Sequence, residues 1–425
     1  MELARIGDAL CLSKLSDATA GKEGGSFEVA LNAAQTPLAP HANGLAYAMR
    51  PLPGDGPGIV IPEASTDPAS VAAWWKGLSS ETREKLIKDN HAELGTLRGL
   101  PAGDIDRINR LRLDDDIPEL KEKLRTVTGN INGAAATGGK ADPALYREAD
   151  RLETQLTNAE KMKDQMDRLD EDHEKKGGPK PYLLTYFYQN EGRFAVALGN
   201  PDAARNTAVL VPGSGHDVKK EGGPFPTVDE GRRLYDEMGT RAPVGLGYPD
   251  SRSVIVWLGA DMPDAGIPDG INGTYGDPEH GARWLHDHVE GYQAAVTNSD
   301  SHMTIVAHSY GSYMAGEAIK MGLDVDDFVV VGSPGVGAES AEELGMSGRV
   351  WAGAADGDFI SGTGVHGLPP TWAGFGATVF ATDGSDIYGR SENHGSYLNE
   401  GSESLDNIAK IATRNEDSIS RRPPG

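Results

Sequence analysis

The apolar positions change period along the chain, and the changes divide it into three parts. Up to residue 66, Gly and Pro interrupt every run, as in Pro51-Leu52-Pro53-Gly54-Asp55-Gly56-Pro57-Gly58. Neither the helical nor the strand period survives that density, so residues 1–66 read as a loosely structured lead-in. From Asp67 the spacing is helical. Asp67-Pro68 offers a cap and a first-turn proline to a helix carrying Val71, Trp74 and Trp75. Ser79 or Ser80 caps a second helix with Glu81, Leu86, Ile87 and His91, and a third carries Ile105, Ile108, Leu111 and Leu113 on its apolar side. Small residues from Gly129 to Gly139 are expected to interrupt the helices. Leu145, Ala149, Leu152, Leu156, Ala159, Met162, Met166 and Leu169 then recur at threes and fours, which predicts a long helix in an antiparallel hairpin. Charged residues such as Glu148, Arg151, Lys161 and Asp167 occupy its other faces, so the stripe reads as packing surface. Lys175-Lys176-Gly177-Gly178-Pro179 closes this helical domain, residues 67–178.

After Pro181 short apolar runs alternate with turns and helices. The runs are 182–188, 194–198, 207–211, 254–258, 304–307, 328–331, 350–354 and 378–381, and several are apolar throughout, as strands buried on both faces should be. Helical segments at 278–297, 310–321 and 396–413 separate the later ones. Strands alternating with helices predict a doubly wound, mostly parallel sheet over residues 179–425, with the first two runs as an antiparallel edge hairpin.

Charge narrows the function. Asp and Glu outnumber Lys and Arg 64 to 40, a formal net charge of -24. That field repels polyanions, which argues against nucleic acid and favours a neutral or cationic ligand. Cys11 stands alone, so no intrachain disulfide can form. The first residues lack a basic stretch followed by an apolar run, and nowhere do about 18 apolar residues follow one another. The expectation is a soluble protein with no integral membrane segment, cytoplasmic or exported without a cleaved signal peptide. No metal or cofactor is expected: His286 and His288, two apart on a helix, face different directions, and Asp114-Asp115-Asp116 reads as a helix-capping acidic turn.

The candidate chemistry centres on Met303-Thr304-Ile305-Val306-Ala307-His308-Ser309-Tyr310-Gly311, an apolar strand, an abrupt turn and the start of a helix. A serine hydroxyl is a poor nucleophile unless it is held apart and beside a base. Such an elbow does this, and it demands small residues two before and two after, here Ala307 and Gly311. An acid and then a His should follow in chain order. Asp358 and Asp356 both follow the predicted strand ending near Ala354. Asp358 is preferred because an acid, one residue and then Ile or Val is the usual arrangement downstream of such an elbow; Asp356 stays open as the alternative. His394, in a loop after the last strand, is the preferred base over His366, which precedes that strand, and His308 is expected to pack beneath the site. Oxyanion donors are expected from the backbone of Tyr310 and of the glycine-rich turn at Gly213 or Ser214. Residues 261–277, rich in Gly, Pro and Asp, suggest a loop over the site.

With these residues in place, the chain resembles an actinobacterial α/β-hydrolase family of unknown function. The resemblance covers roughly residues 67–414. It is carried by Trp74-Trp75, by Leu100-Pro101-Ala102-Gly103-Asp104 leading to Asn109-Arg110, by Val209-Leu210-Val211-Pro212-Gly213, by the elbow, and by Val331-Gly332-Ser333-Pro334-Gly335. The family's elbow is Gly-His-Ser-Tyr-Gly, from which Ala307 departs. The helical region resembles the hairpins often fused to these hydrolases, akin to small type VII secretion substrates, with Trp75-Lys76-Gly77 nearest to their Trp-X-Gly turn. The resemblance implies a Ser-His-Asp carboxylic-ester hydrolase, esterase- or lipase-like, acting on a small-molecule or lipid ester, and a secretion partner for the helical region. The alternative is a secreted effector or binding protein whose hydrolase fold is a module of low or no activity.

Overall fold

The structure is a computed structural model that describes residues 59–190, 192–216, 218, 225–241, 252–259, 278–383 and 391–423. Every element named here belongs to one compact unit, residues 61–425. Most of the expected lead-in and the loop expected at 261–277 lie outside the described residues.

Helix α1, Pro68–Gly77, begins where Asp67 accepts a bond from the Ser70 N–H at 2.9 Å. Helix α2, Ser80–Leu94, begins likewise at Ser79, which accepts from Thr82 at 3.1 Å. Helix α3 runs over Ala102–Ala136, through Pro118, Gly129 and Gly133, so the small-residue stretch expected to interrupt the helices is largely helix. Each glycine costs about 1 kcal/mol against Ala, which weakens a helix without forbidding it. Leu124 and Val127 still pack against the core and carry α3 onward. Asp114-Asp115-Asp116 therefore sits mid-helix and caps nothing: Asp115 bonds His91 at 2.7 Å and Asp114 lies 3.8 Å from Lys163. Leu111 is 38% exposed instead of facing the core. It stands about 200° around the helix from buried Asn109, since each residue turns about 100°.

Helix α4, Pro143–Lys176, buries Leu152, Ala159, Met162 and Met166 of the expected stripe and ends at Gly177 in the left-handed conformation, φ 72°. It packs along α3, and both share one hydrophobic core with the sheet.

Eight strands follow: β1 Pro181–Phe187, β2 Arg193–Leu198, β3 Asn206–Val211, β4 Arg252–Leu258, β5 His302–His308, β6 Asp327–Val331, β7 Val350–Gly353 and β8 Thr378–Val379. Their order is β1-β2-β4-β3-β5-β6-β7-β8; β2 is antiparallel to both neighbours and the remaining pairs are parallel. Strand β1 is an edge, and an edge exposes unpaired backbone groups. Here α3 covers it: Asp106 accepts from the Leu183 N–H at 2.8 Å and Asn109 donates to the Leu183 carbonyl at 3.0 Å, beside a bulge between Leu183 and Thr185. Helices α5, Pro226–Arg241, and α9, Glu403–Ala412, pack together; α6, Pro278–Ala295, and α7, Tyr310–Lys320, form a second pair. Helix α9 starts later than the expected residue 396, because Gly401 turns at φ 74° and Ser402 caps the helix on the Leu405 N–H at 3.2 Å. A one-turn helix α8, Ser391–His394, precedes it. Among the described residues no helix is long and apolar enough to cross a membrane.

Candidate active site

Parallel β3 and β5 end together, with Val211 opposite Ala307, and their turns meet beyond that point. Ser309 joins β5 to α7 with φ 52° and ψ -130°. A non-glycine residue pays for positive φ, and this ψ lies outside the small left-handed helical well, so the surroundings must hold it. They do so through backbone bonds: Ser309 N–H to the Val331 carbonyl at 3.0 Å, and Ser312 N–H and Oγ to the Ser309 carbonyl at 3.0 and 2.6 Å. Ala307 is fully buried, and a Cβ at Gly311 would collide with the Pro212 carbonyl, so position 311 admits no side chain. The glycine-rich turn after β3 lies against the serine. A Cβ built on Gly213 would stand 2.7 Å from Ser309 Cβ and 3.2 Å from its Oγ. Ser214 follows it, half-buried, and Tyr310 opens α7, whose positive end is directed at the same point.

The structure brings three expected side chains into one chain of hydrogen bonds. Ser309 Oγ lies 2.8 Å from His394 Nε2, and His394 Nδ1 donates to Asp358 Oδ2 at 2.9 Å. The Asp358 side chain is fully enclosed, and its Oδ1 accepts from the Ile360 N–H at 3.0 Å. Burial pushes its carboxyl up, but the bonds from His394 and Tyr397 outweigh burial and hold it below the usual range. The alternative acid, Asp356, is 56% exposed and pairs with Arg422 at 2.9 Å. His366, the rival base, lies flat on Tyr313, ring centroids 4.1 Å apart. His308 does pack beneath the site: its Nε2–H donates to the His394 carbonyl at 2.7 Å, and the two rings are 4.7 Å apart.

Sequence reasoning missed two neighbours. The Tyr397 hydroxyl donates to Asp358 Oδ2 at 2.5 Å, and a Cβ at Gly332 would press on Tyr397, Asp358 and His394 together. Tyr397 stands three residues after His394 in an irregular turn, where no periodicity marks a side chain as inward. Gly332 carried one signal, its place directly after a buried strand.

Among the described residues one grouping, His286, Asp287 and Glu290 on α6, could bring ligand atoms to a metal. These groups already pair with one another, and Asp287 also with Arg98 at 3.5 Å. His288 faces away from His286, as their spacing predicts, and is buried and stacked on Trp284 with Nδ1 donating to the Trp284 carbonyl at 2.7 Å.

Two enclosed histidines set an acid limit on stability. Burial pushes His288 down to about 4; burial, then the neighbouring His394, push His308 down to about 3. The unfolded chain takes up these protons near pH 6.5, so their contribution is complete above about 6.5 and is lost as pH falls toward the folded values. Asp202 acts oppositely, since burial pushes it up to about 6 and the folded state keeps its proton where the unfolded state has lost it. Each histidine alone contributes a slope of up to about 1.4 kcal/mol per pH unit between its unfolded and folded values, and Asp202 one of opposite sign. The unfolding free energy from urea titrations should depend less steeply on pH between roughly 6 and 4 in His288→Gln than in the wild type; an unchanged slope in the variant would refute the assignment.

The mostly parallel sheet, the helices packed on it and the strand–turn–helix at Ser309 define an α/β-hydrolase fold, and residues 189–366 match the alpha/beta hydrolase family. An uncharacterized protein of Mycobacterium tuberculosis is 28% identical over 409 residues, covering 88% of this chain and 60% of that protein. A second from the same organism is 31% identical over 152 residues, 36% of this chain and 56% of its own length. The chain thus spans under two thirds of either relative. Among solved structures, a dienelactone hydrolase from Anabaena variabilis aligns with 57% of this chain and 99% of its own, at 12% identity and a TM-score of 0.34.

Proposed function

We propose that the chain is a serine hydrolase of carboxylic esters, with Ser309 as nucleophile, His394 as general base and Asp358 as the acid that orients it. The observation that supports this reading is the His394 imidazole bridging Ser309 Oγ at 2.8 Å and Asp358 Oδ2 at 2.9 Å, above a serine in strained backbone. With Nδ1–H committed to the carboxylate, Nε2 carries the lone pair that takes the serine proton as Oγ attacks the ester carbonyl. Backbone N–H groups of Tyr310 and of the Gly213–Ser214 turn hold the developing oxyanion. His394 returns the proton to the leaving alcohol, and a water activated by the same base releases the acid from Ser309. The net charge of -24 favours a neutral or cationic ester over an anionic one.

Hydrolysis of p-nitrophenyl esters of increasing acyl length, together with fluorophosphonate labelling mapped by mass spectrometry, tests the proposal. Turnover is expected, with the label on Ser309. A folded protein showing neither would remove it, and the preferred acyl length separates an esterase from a lipase-like enzyme.

A further inference from the structure

We propose that Tyr397 is a positioning residue for the Asp358–His394 pair, its phenol sharing the carboxylate oxygen that His394 uses and so setting the pH at which the pair stops acting as a base. The proposal rests on the serine-hydrolase reading above. Asp358 Oδ2 accepts two bonds, from His394 Nδ1–H at 2.9 Å and from the Tyr397 O–H at 2.5 Å. The Tyr397 oxygen in turn accepts the Ala355 N–H at 2.9 Å. Held by a backbone donor on one side, the phenol directs its own proton at the carboxylate on the other. A tyrosine with only a packing role could spend its hydroxyl on any carbonyl or on water; this one spends it on the atom that orients the base.

The packing supports a dedicated arrangement. Tyr397 is buried, and its ring lies 5.7 Å from that of His308, whose Nε2–H fixes the His394 carbonyl. At Gly332, φ 58°, a Cβ would stand 2.9 Å from Tyr397 Cε2 and 3.1 Å from both Asp358 Oδ2 and His394 Cε1. The three groups therefore converge over a position that has no side chain.

The other groups facing the pair are few. His308, with His216 behind it, is held uncharged, and the Tyr397 phenol, pushed far up by burial and by Asp358, stays protonated. Asp356, on the same loop as Asp358, is held in an exposed pair with Arg422 from the C-terminal segment. Among the described residues the donors to the Asp358 carboxylate are the His394 ring, the Tyr397 phenol and the Ile360 N–H, with no Lys or Arg. With Asp358 ionised and His394 neutral the pair carries one negative charge, and the phenol stabilises that state over the protonated one. Without it the pair takes up its proton at higher pH, whichever partner holds it.

The test is the pH profile of kcat/KM for p-nitrophenyl acetate in the full chain, wild type beside Tyr397→Phe, with fluorophosphonate labelling and thermal melts alongside. The acid limb should move up, by at most about one unit, the whole value of a hydrogen bond to a charge, because the phenol faces the carboxylate in both states of the imidazole, while KM holds and Ser309 still labels. A limb left in place, with only the melting temperature or the plateau lowered, would make Tyr397 structural and overturn the proposal. Site-specific replacement of Tyr397 by 3,5-difluorotyrosine, a stronger donor of the same shape, should move the limb down; no movement, or movement up, would equally overturn it, even if the Phe variant does not fold. A wild type that neither turns over nor labels would overturn the serine-hydrolase reading itself, a result distinct from an active enzyme whose limb does not respond.

Discussion

Ser309→Ala is expected to abolish fluorophosphonate labelling and to lower kcat/KM for a short p-nitrophenyl ester by about 10⁴- to 10⁶-fold, leaving a residue of activity above the uncatalysed rate. The residue is expected because the turn at Gly213 and the N-terminal end of α7 still face an ester carbonyl when the hydroxyl is gone. Stability should move the other way in a companion variant. Ser309 holds φ 52° with ψ -130°, a conformation that costs a side chain of order 1 kcal/mol or more and costs glycine far less. Ser309→Gly should therefore be as inactive as the Ala variant yet more stable by about 1 kcal/mol, read as a higher urea midpoint. A serine kept for folding would show the reverse, with activity largely retained and stability lost. Comparable activity in wild type and Ser309→Ala would remove Ser309 from the chemistry.

The sheet was legible because its strands are buried on both faces: runs such as Val209-Leu210-Val211 and Val254-Ile255-Val256 have no reading other than core. The three side chains that meet at the site were legible for another reason. A serine between strand and helix calls for an acid and a histidine downstream, and each of these lies at the end of an element. Local propensity failed where packing overrules it. Helix α3 continues through Gly129 and Gly133 because Leu124 and Val127 have a surface to cover, and propensity counts residues without seeing that surface. The reverse happened near residue 396, where helix-compatible residues form turns until Ser402 supplies a cap. Tyr397 was not legible at all. Its partner Asp358 is 39 residues away in sequence, and the bond exists only because the fold brings the loop after β7 and the turn at residue 397 together.

The choice between Asp358 and Asp356, open on sequence grounds, gives the other large effect. Asp358→Asn should lower kcat/KM by about 10⁴-fold, since a base with the wrong tautomer cannot accept the serine proton. The carboxylate accepts on both oxygens: Oδ2 from His394 and Tyr397, Oδ1 from the Ile360 N–H. An amide has one acceptor. If its oxygen faces His394, its NH₂ opposes the Ile360 N–H; if it turns over, the NH₂ opposes both the imidazole Nδ1–H and the phenol. Either way a buried donor loses its partner, which costs about 1–3 kcal/mol of stability in addition to the rate. Asp356→Asn breaks only an exposed pair with Arg422, worth about 0–1 kcal/mol, so its kcat/KM and melting temperature should stay close to wild type. Both variants should be measured beside the wild type at one and the same pH. Equal losses in the two would mean that the loop as a whole, and not the Asp358 carboxylate, supports the base. A large loss in Asp356→Asn alone would transfer the acid's role to that residue.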